Sequence, residues 1–216
     1  MPLPMVHLSV AKNIIVAGFD VKSLPQFYLG VISPDAIHMR PNVDKKVKYK
    51  THMKPTGTDL WNDVDEDDFI EFILSFIKTH QNNVDIDFLQ GYAIHILTDM
   101  YWTKRIYYPF EEKYENDPNP IQKEREAYYN DTDLIDFSLY YECPWREDIW
   151  NHLRKAEGSD FLDLLSANEI NMWNKRTINW YEDNKHRKYN PLRYINKPEV
   201  DEFIQFCSSR IDLKLK

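Results

Sequence analysis

His95 and Asp99 lie four positions apart in FLQGYAIHILTDMYWT, residues 88–103. On a helix, that spacing places both side chains on one face. Asp99 is the only formally charged residue of the stretch. Leu89, Ala93, Ile96 and Met100 form one apolar stripe, and Ile94, Leu97 and Tyr101 cover much of the rest. A helix apolar on most sides is a buried helix. A buried carboxylate is costly unless a partner compensates it. Two partners fit the spacing. One is a His–Asp hydrogen bond inside the core, the commoner arrangement. The other is a shared metal, by the logic that places two histidines one turn apart in the H-E-x-x-H zinc motif.

Three further positions extend the set. Asp35 follows Pro34 in FYLGVISPDAIH, His52 sits in the polar KYKTHMKP, and His7 shares a helical face with Val10, Ala11 and Ile14. Taken singly, these read as a turn residue, a surface histidine in a loop and a core histidine. Taken together, His7, Asp35, His52, His95 and Asp99 are carboxylate and imidazole donors that suit zinc first, and also iron or manganese. Asp35 or Asp99 would orient or deprotonate a water at such an ion. His38 is either a supporting contact or a surface turn residue. Arg40, Lys45, Lys46, Lys48, Lys50 and Lys54 surround His52; they would attract a phosphate or form a solvated basic loop. Trp102 shares the His95/Asp99 face and reads as a pocket wall or as core.

The elements that must hold these residues are helices. Helical patterning or caps place them at about 5–17, 25–32, 65–79, 86–108, 121–129, 144–155, 160–183 and 198–211. The 160–183 stretch has two candidate N-caps, Ser159 and Ser166, and so reads as two helices. Residues 36–64 read as irregular, 184–197 as a loop, and Asp117-Pro118-Asn119-Pro120 as a break. The expected fold is all-α, one compact multi-helix domain over residues 1–216.

Composition narrows the function classes. The chain has 216 residues, 43% of them hydrophobic, which is enough for a core without a disulfide or metal staple. Only 5 glycines are present, so Gly-rich phosphate loops and dinucleotide folds are not expected. With 27 basic and 35 acidic residues the net charge is −8. Nucleic acid and stable membrane association are therefore not expected. Two cysteines make no disulfide framework. The start, MPLPMVHLSVAKNIIVAGFD, has no basic segment before its apolar run, and no apolar stretch is long enough to span a bilayer. The expected location is the cytoplasm.

The segments VHLSVAKNI, FYLGVISPD, KTHMK and GYAIHILTD, in this order, resemble the zinc-dependent phospholipase C family, all-helical metallohydrolases related to S1/P1-type nucleases. The likeness covers about the first half of the chain. It implies that fold, and it implies that Asp35, His52, His95 and Asp99 hold one zinc while Asp99 and His7 share a second. The residues for the family's third zinc have no counterpart: His152 is followed four positions later by Ala156 rather than Glu. The implied activity is metal-dependent hydrolysis of a phosphoester or another small-molecule ester, with a metal-activated water as nucleophile. The alternatives are a helical interaction or scaffold protein that keeps a degenerate metal site and, ranked low, an HD-type phosphohydrolase, whose adjacent His-Asp dipeptide is missing. His152 and His186 are not expected to be ligands.

Overall fold

A computed structural model of the chain describes residues 3–55 and 61–215. It is all-helical among the described residues. Ten α-helices run in order: α1 Pro4–Val16, α2 Leu24–Ile32, α3 Lys45–Thr51, α4 Glu66–His80, α5 Ile86–Trp102, α6 Tyr108–Glu115, α7 Glu124–Glu142, α8 Arg146–Lys155, α9 Ala167–Asn184 and α10 Lys197–Leu215. Two 3-10 segments, Ser33–Met39 and Trp61–Asp63, and one π segment, Thr103–Tyr107, lie between them. They pack as one compact domain around α5. Among the described residues no helix is long and apolar enough to cross a membrane.

Local chemistry explains most helix starts. Asp65 caps α4 by accepting from the N–H groups of Asp67 and Asp68, and Asp85 caps α5 by accepting from Phe88. Free N–H groups in the first helical turn need such acceptors. Ser166 and Glu169 form a reciprocal capping box at the start of α9. Two starts are capped from a distance. Asp136 of α7 accepts from the Met5 N–H of α1 at 3.0 Å. Asp87 of α5 accepts from the Ser23 N–H that precedes α2 at 2.7 Å.

Every residue of α5 from Gly91 to Trp102 is buried. α5 packs against α1, α2, α4 and α10. Its crossing with α2 is set by two glycines. A Cβ on Gly91 would overlap the Phe27 carbonyl oxygen, and one on Gly30 would overlap that of Phe88. Only glycine lets the two backbones approach this closely. The crossing brings the end of α2, and Asp35 just beyond it, beside the middle of α5.

Several expected boundaries shift. Residues 36–64 are not irregular throughout: the 3-10 segment reaches Met39, and α3 occupies Lys45–Thr51. The helix expected over 86–108 is α-helical only to Trp102, then continues as the π segment into α6. Pro109 does not stop it: it lies in the first turn of α6, directly after the π segment. The helix expected over 121–129 is α7, which runs on to Glu142. Its buried face carries Asn130, Asp131, Thr132, Asp133 and Asp136, polar residues that hid the pattern. The 160–183 stretch holds one helix, α9, capped by Ser166 and not Ser159. Residues 161–165 form a tight turn, closed by a bridge between Phe161 and Leu165, with Leu162 at φ 49°.

A candidate metal centre

Four elements deliver the five candidate ligands. α1 carries His7, the 3-10 segment after α2 carries Asp35, and α5 carries His95 and Asp99. His52 is not in a loop: it is the C-cap of α3. α3 ends in a Schellman motif, with the Lys54 N–H donating to the Tyr49 carbonyl and the Met53 N–H to that of Lys50. Met53 takes the left-handed position at φ 51°, a conformation that normally selects glycine. The strain sits immediately after His52 and fixes the direction in which the chain leaves it.

All five residues are buried, none more than 8% exposed. Asp99 lies at the centre. Its Oδ2 is 3.5 Å from His52 Nε2 and 3.7 Å from His95 Nε2, and its Oδ1 is 3.4 Å from His7 Nε2. Asp35 Oδ1 is 3.3 Å from His52 Nε2. Candidate donor atoms of His7, His95 and Asp99 all lie within 4.8 Å of one another, and so do those of Asp35, His52 and His95. His7 stacks on His95 with ring centroids 3.8 Å apart and planes 3° from parallel.

The outward nitrogens anchor two of the rings. His95 Nδ1 donates to the Val31 carbonyl of α2 at 2.7 Å. His52 Nδ1 lies 3.0 Å from both the Lys48 carbonyl and the Thr51 hydroxyl, which hold the ring in place. A carbonyl can only accept, so His95 Nδ1 carries its proton and the neutral ring turns its Nε2 lone pair inward. The Gly91 crossing makes the first of these bonds possible, since it sets Val31 against the turn that carries His95.

The inward atoms have no partners. His52 Nε2, His95 Nε2, both His7 nitrogens, Asp35 Oδ1 and Asp99 Oδ1 are buried and make no hydrogen bond. A charge-assisted hydrogen bond between these groups would draw N and O to about 2.7–2.9 Å. The observed separations, 3.3–3.7 Å, are longer. Two donors each about 2.0–2.2 Å from a tetrahedral ion stand about 3.3–3.6 Å apart. The donor set therefore fits a metal ion better than it fits a hydrogen-bonded core cluster. Two carboxylates with three neutral imidazoles carry −2, which one divalent cation neutralises.

The electrostatics follow from burial and from the charges that face one another. Burial pushes the Asp99 carboxyl up, but the facing imidazoles of His95 and His7 outweigh it and hold the group well below the usual carboxylate range. Burial raises the Asp35 carboxyl too, and His38 and His52 more than offset it. Burial, with help from neighbouring His95, lowers His7 to about 4, so its ring is neutral near pH 7 and one of its two nitrogens keeps a lone pair. For His95 the Asp99 carboxylate overcomes burial and the net shift is upward.

A cleft of about 640 Å³ opens onto this cluster, with His52 and Asp99 among its lining residues. Lys48, Lys54 and Arg125 contribute three cations against Glu111 and Glu124. Its walls are aromatic: Tyr49, Trp61, Tyr107, Tyr108, Tyr128 and Tyr129. The π segment leads directly into Tyr107 and Tyr108; such segments often mark functional sites. The sequence reading did not single out these rings. The pairs Tyr107-Tyr108 and Tyr128-Tyr129, in a chain with 14% aromatics, were the available signal.

The remaining candidates divide. His38 does approach the site, with Nε2 3.5 Å from Asp35 Oδ1 and 3.1 Å from Lys48 Nζ. Arg40 does not serve the cleft. Its guanidinium grips Glu169 of α9 through two hydrogen bonds of 2.6 and 3.0 Å and reaches the Leu164 carbonyl. Lys50 lines a neighbouring groove, and Lys46 is exposed. The Lys45 side chain lies outside the described residues. Trp102 is core and not a wall: its Nε1 donates to the Tyr128 hydroxyl at 2.7 Å and so braces a ring that does line the cleft. His152 pairs loosely with Asp148, 3.6 Å away, and neither it nor His186 joins the cluster.

Fold and site together define an all-helical protein with a buried His/Asp group able to hold a metal ion. No family model, no curated protein and no solved structure matches the chain.

Proposed function

We propose that the chain is a metal-dependent hydrolase acting on a phosphoester, with the helical architecture of the phospholipase C/P1 nuclease type. The observation that carries this reading is the convergence of buried donor atoms without hydrogen bonds at metal-ligand spacing, on the floor of an open cleft. Zinc suits the donors best; iron or manganese would also accept them. Asp35, His52, His95 and Asp99 would hold one ion, and His7 with the second oxygen of Asp99 would flank it or hold another.

When bound, such an ion polarises a phosphoryl oxygen and brings the pKa of a coordinated water toward about 7. The protein's own part is positioning. Asp35 and Asp99, ionised, would orient the attacking water as hydrogen-bond acceptors, and the proton that this water loses on coordination would pass to solvent through the cleft. Lys48, Lys54 and Arg125 attract the phosphate and offset the charge that builds on it. The aromatic walls exclude water and grip the organic part of the substrate.

The test is direct. Zinc, iron and manganese per chain are measured in wild type and in His52→Ala, His95→Ala and His152→Ala, followed by a panel of phosphomonoesters and phosphodiesters. At least one ion per chain is expected in wild type and in His152→Ala, with a sharp loss in the other two. Equal metal in all four, or none in wild type after metal is added, ends the proposal.

A further inference from the structure

A second pocket, of about 380 Å³, adjoins the metal cleft. Tyr129 lines both, so the two compartments lie on either side of one half-exposed ring. The second pocket is built mainly by α9. Arg176 sits between two indoles, its guanidinium carbon 4.8 Å from the Trp173 ring and 4.9 Å from that of Trp180. Stacking of this kind fixes the plane of the guanidinium while leaving its N–H edge free to donate. No carboxylate among the described residues pairs with Arg176. Arg187 also lies against the Trp180 ring at 4.9 Å and holds Asp133, the pocket's only acid among the described residues, at 3.4 Å.

Two more polar groups belong to residues of this lining. Thr177 is 2% exposed, and its Oγ1 has no hydrogen-bond partner; Trp173 is 8% exposed, and its Nε1 has none either. Both residues line the pocket. Buried polar groups are seldom left unpaired unless a ligand or water completes them. The pocket is therefore lined by an unpaired guanidinium and by two residues, Trp173 and Thr177, whose buried polar atoms lack partners. Its charge is one positive in excess, in a chain whose net charge is −8.

We propose that the Trp173–Arg176–Thr177–Trp180 pocket binds an oxyanion, a phosphate or carboxylate group, and that the substrate of the neighbouring centre carries such a group beyond its scissile phosphoester. The second half of that statement rests on the hydrolase reading; the first does not. Planar guanidinium forks match oxyanions through paired N–H···O bonds, and a buried hydroxyl adds a further donor. Trp173 also lies against His38, with ring centroids 5.9 Å apart, and His38 touches Asp35. That contact places the pocket beside the metal ligands rather than across the molecule.

The test uses the full chain, first stripped of metal by chelation, with inorganic phosphate as probe. The indole N–H resonances of Trp173 and Trp180 are followed by NMR and identified with Trp173→Phe and Trp180→Phe. Chloride at matched ionic strength is the reference. Saturable movement of both resonances is expected with phosphate alone, and Arg176→Ala should weaken it at least about tenfold, which corresponds to about 1.4 kcal/mol. Arg176 is exposed, so the variant should fold normally. Equal response to chloride, or unchanged binding in Arg176→Ala, overturns the anion site. In the metal-loaded protein, Arg176→Ala should raise KM at least about fivefold for a phosphoester bearing a second anionic group and leave one without it unchanged. Saturable phosphate binding with no turnover of any phosphoester would end the hydrolase reading and leave the anion site standing. Turnover with KM values that Arg176→Ala does not change would overturn the pocket's part in substrate binding and leave the hydrolase reading standing.

Discussion

Removing the metal should destabilise the wild-type protein and leave Asp99→Asn indifferent. Asp99 faces three imidazoles at 3.4–3.7 Å, and with Asp35 it brings two negative charges into a site almost closed to solvent. An ion bound there belongs to the folded state only, since the ligands come from four separate elements. At free metal about a thousandfold above the dissociation constant, that linkage is worth about 4 kcal/mol. For a chain of this length, the midpoint of thermal unfolding should then fall by about 10 °C on chelation. Asp99→Asn keeps the side chain's shape but loses one charge and one of the two oxygens that face the imidazoles. Its midpoint should differ little with and without chelator. The assay is scanning calorimetry of wild type, Asp99→Asn and His152→Ala, each loaded and stripped, with metal content measured on the same samples. A purely structural His–Asp network would make Asp99→Asn less stable and make no protein sensitive to chelator. A wild-type midpoint unmoved by chelation and re-loading refutes the reasoning, as does an equal chelator shift in Asp99→Asn.

Gly91→Ala should destabilise the fold by about 1–3 kcal/mol through overpacking against α2 and, by displacing Val31 from His95, should also lower bound metal. Gly18→Ala, at φ 93° with open space around it, should cost about 1 kcal/mol through backbone strain alone and leave metal content unchanged; denaturant titration and elemental analysis read both. Asp136 is raised from 3.8 to about 7, by burial first, while Tyr181 and the Met5 N–H resist the shift. Its folded state therefore binds the extra proton, so the stability it contributes is present below about pH 4 and is lost as pH rises through about 7. The shift corresponds to about 4 kcal/mol, and Asp136→Asn should flatten the fall in stability between those limits, as urea titrations across pH would show. Arg40→Ala should cost about 1–2 kcal/mol, a modest loss because the Arg40–Glu169 fork is partly exposed, with metal content unchanged.

The all-helical fold could be read from the sequence because its signals are local. Acidic caps at Asp65 and Asp85, the Ser166–Glu169 pair and the apolar run of α5 each act within one or two turns. The length of α7 could not be read in this way. Its buried face holds Asp131 and Asp136, whose partners are backbone N–H groups at residues 193–195 and at Met5, more than sixty positions away. Polar residues with remote partners break an amphipathic pattern without breaking the helix.

The candidate site divides in the same way. His95 and Asp99 could be paired from sequence alone, because one helical turn fixes their neighbourhood and burial makes a lone carboxylate untenable. Their association with His7, Asp35 and His52 was suggested by order and resemblance, but spacing along the chain imposes no distance between elements. The tertiary structure alone brought the five together, through the glycine crossing of α2 and α5, the Schellman end of α3 and the Asp136 tether on α1. It alone decided that Arg40 is spent on Glu169, that Trp102 braces Tyr128, and that aromatic pairs from the π segment–α6 junction and from α7 wall the cleft. Local sequence determines what a helix presents; which faces then meet depends on backbone approach and on hydrogen bonds between residues far apart in the chain.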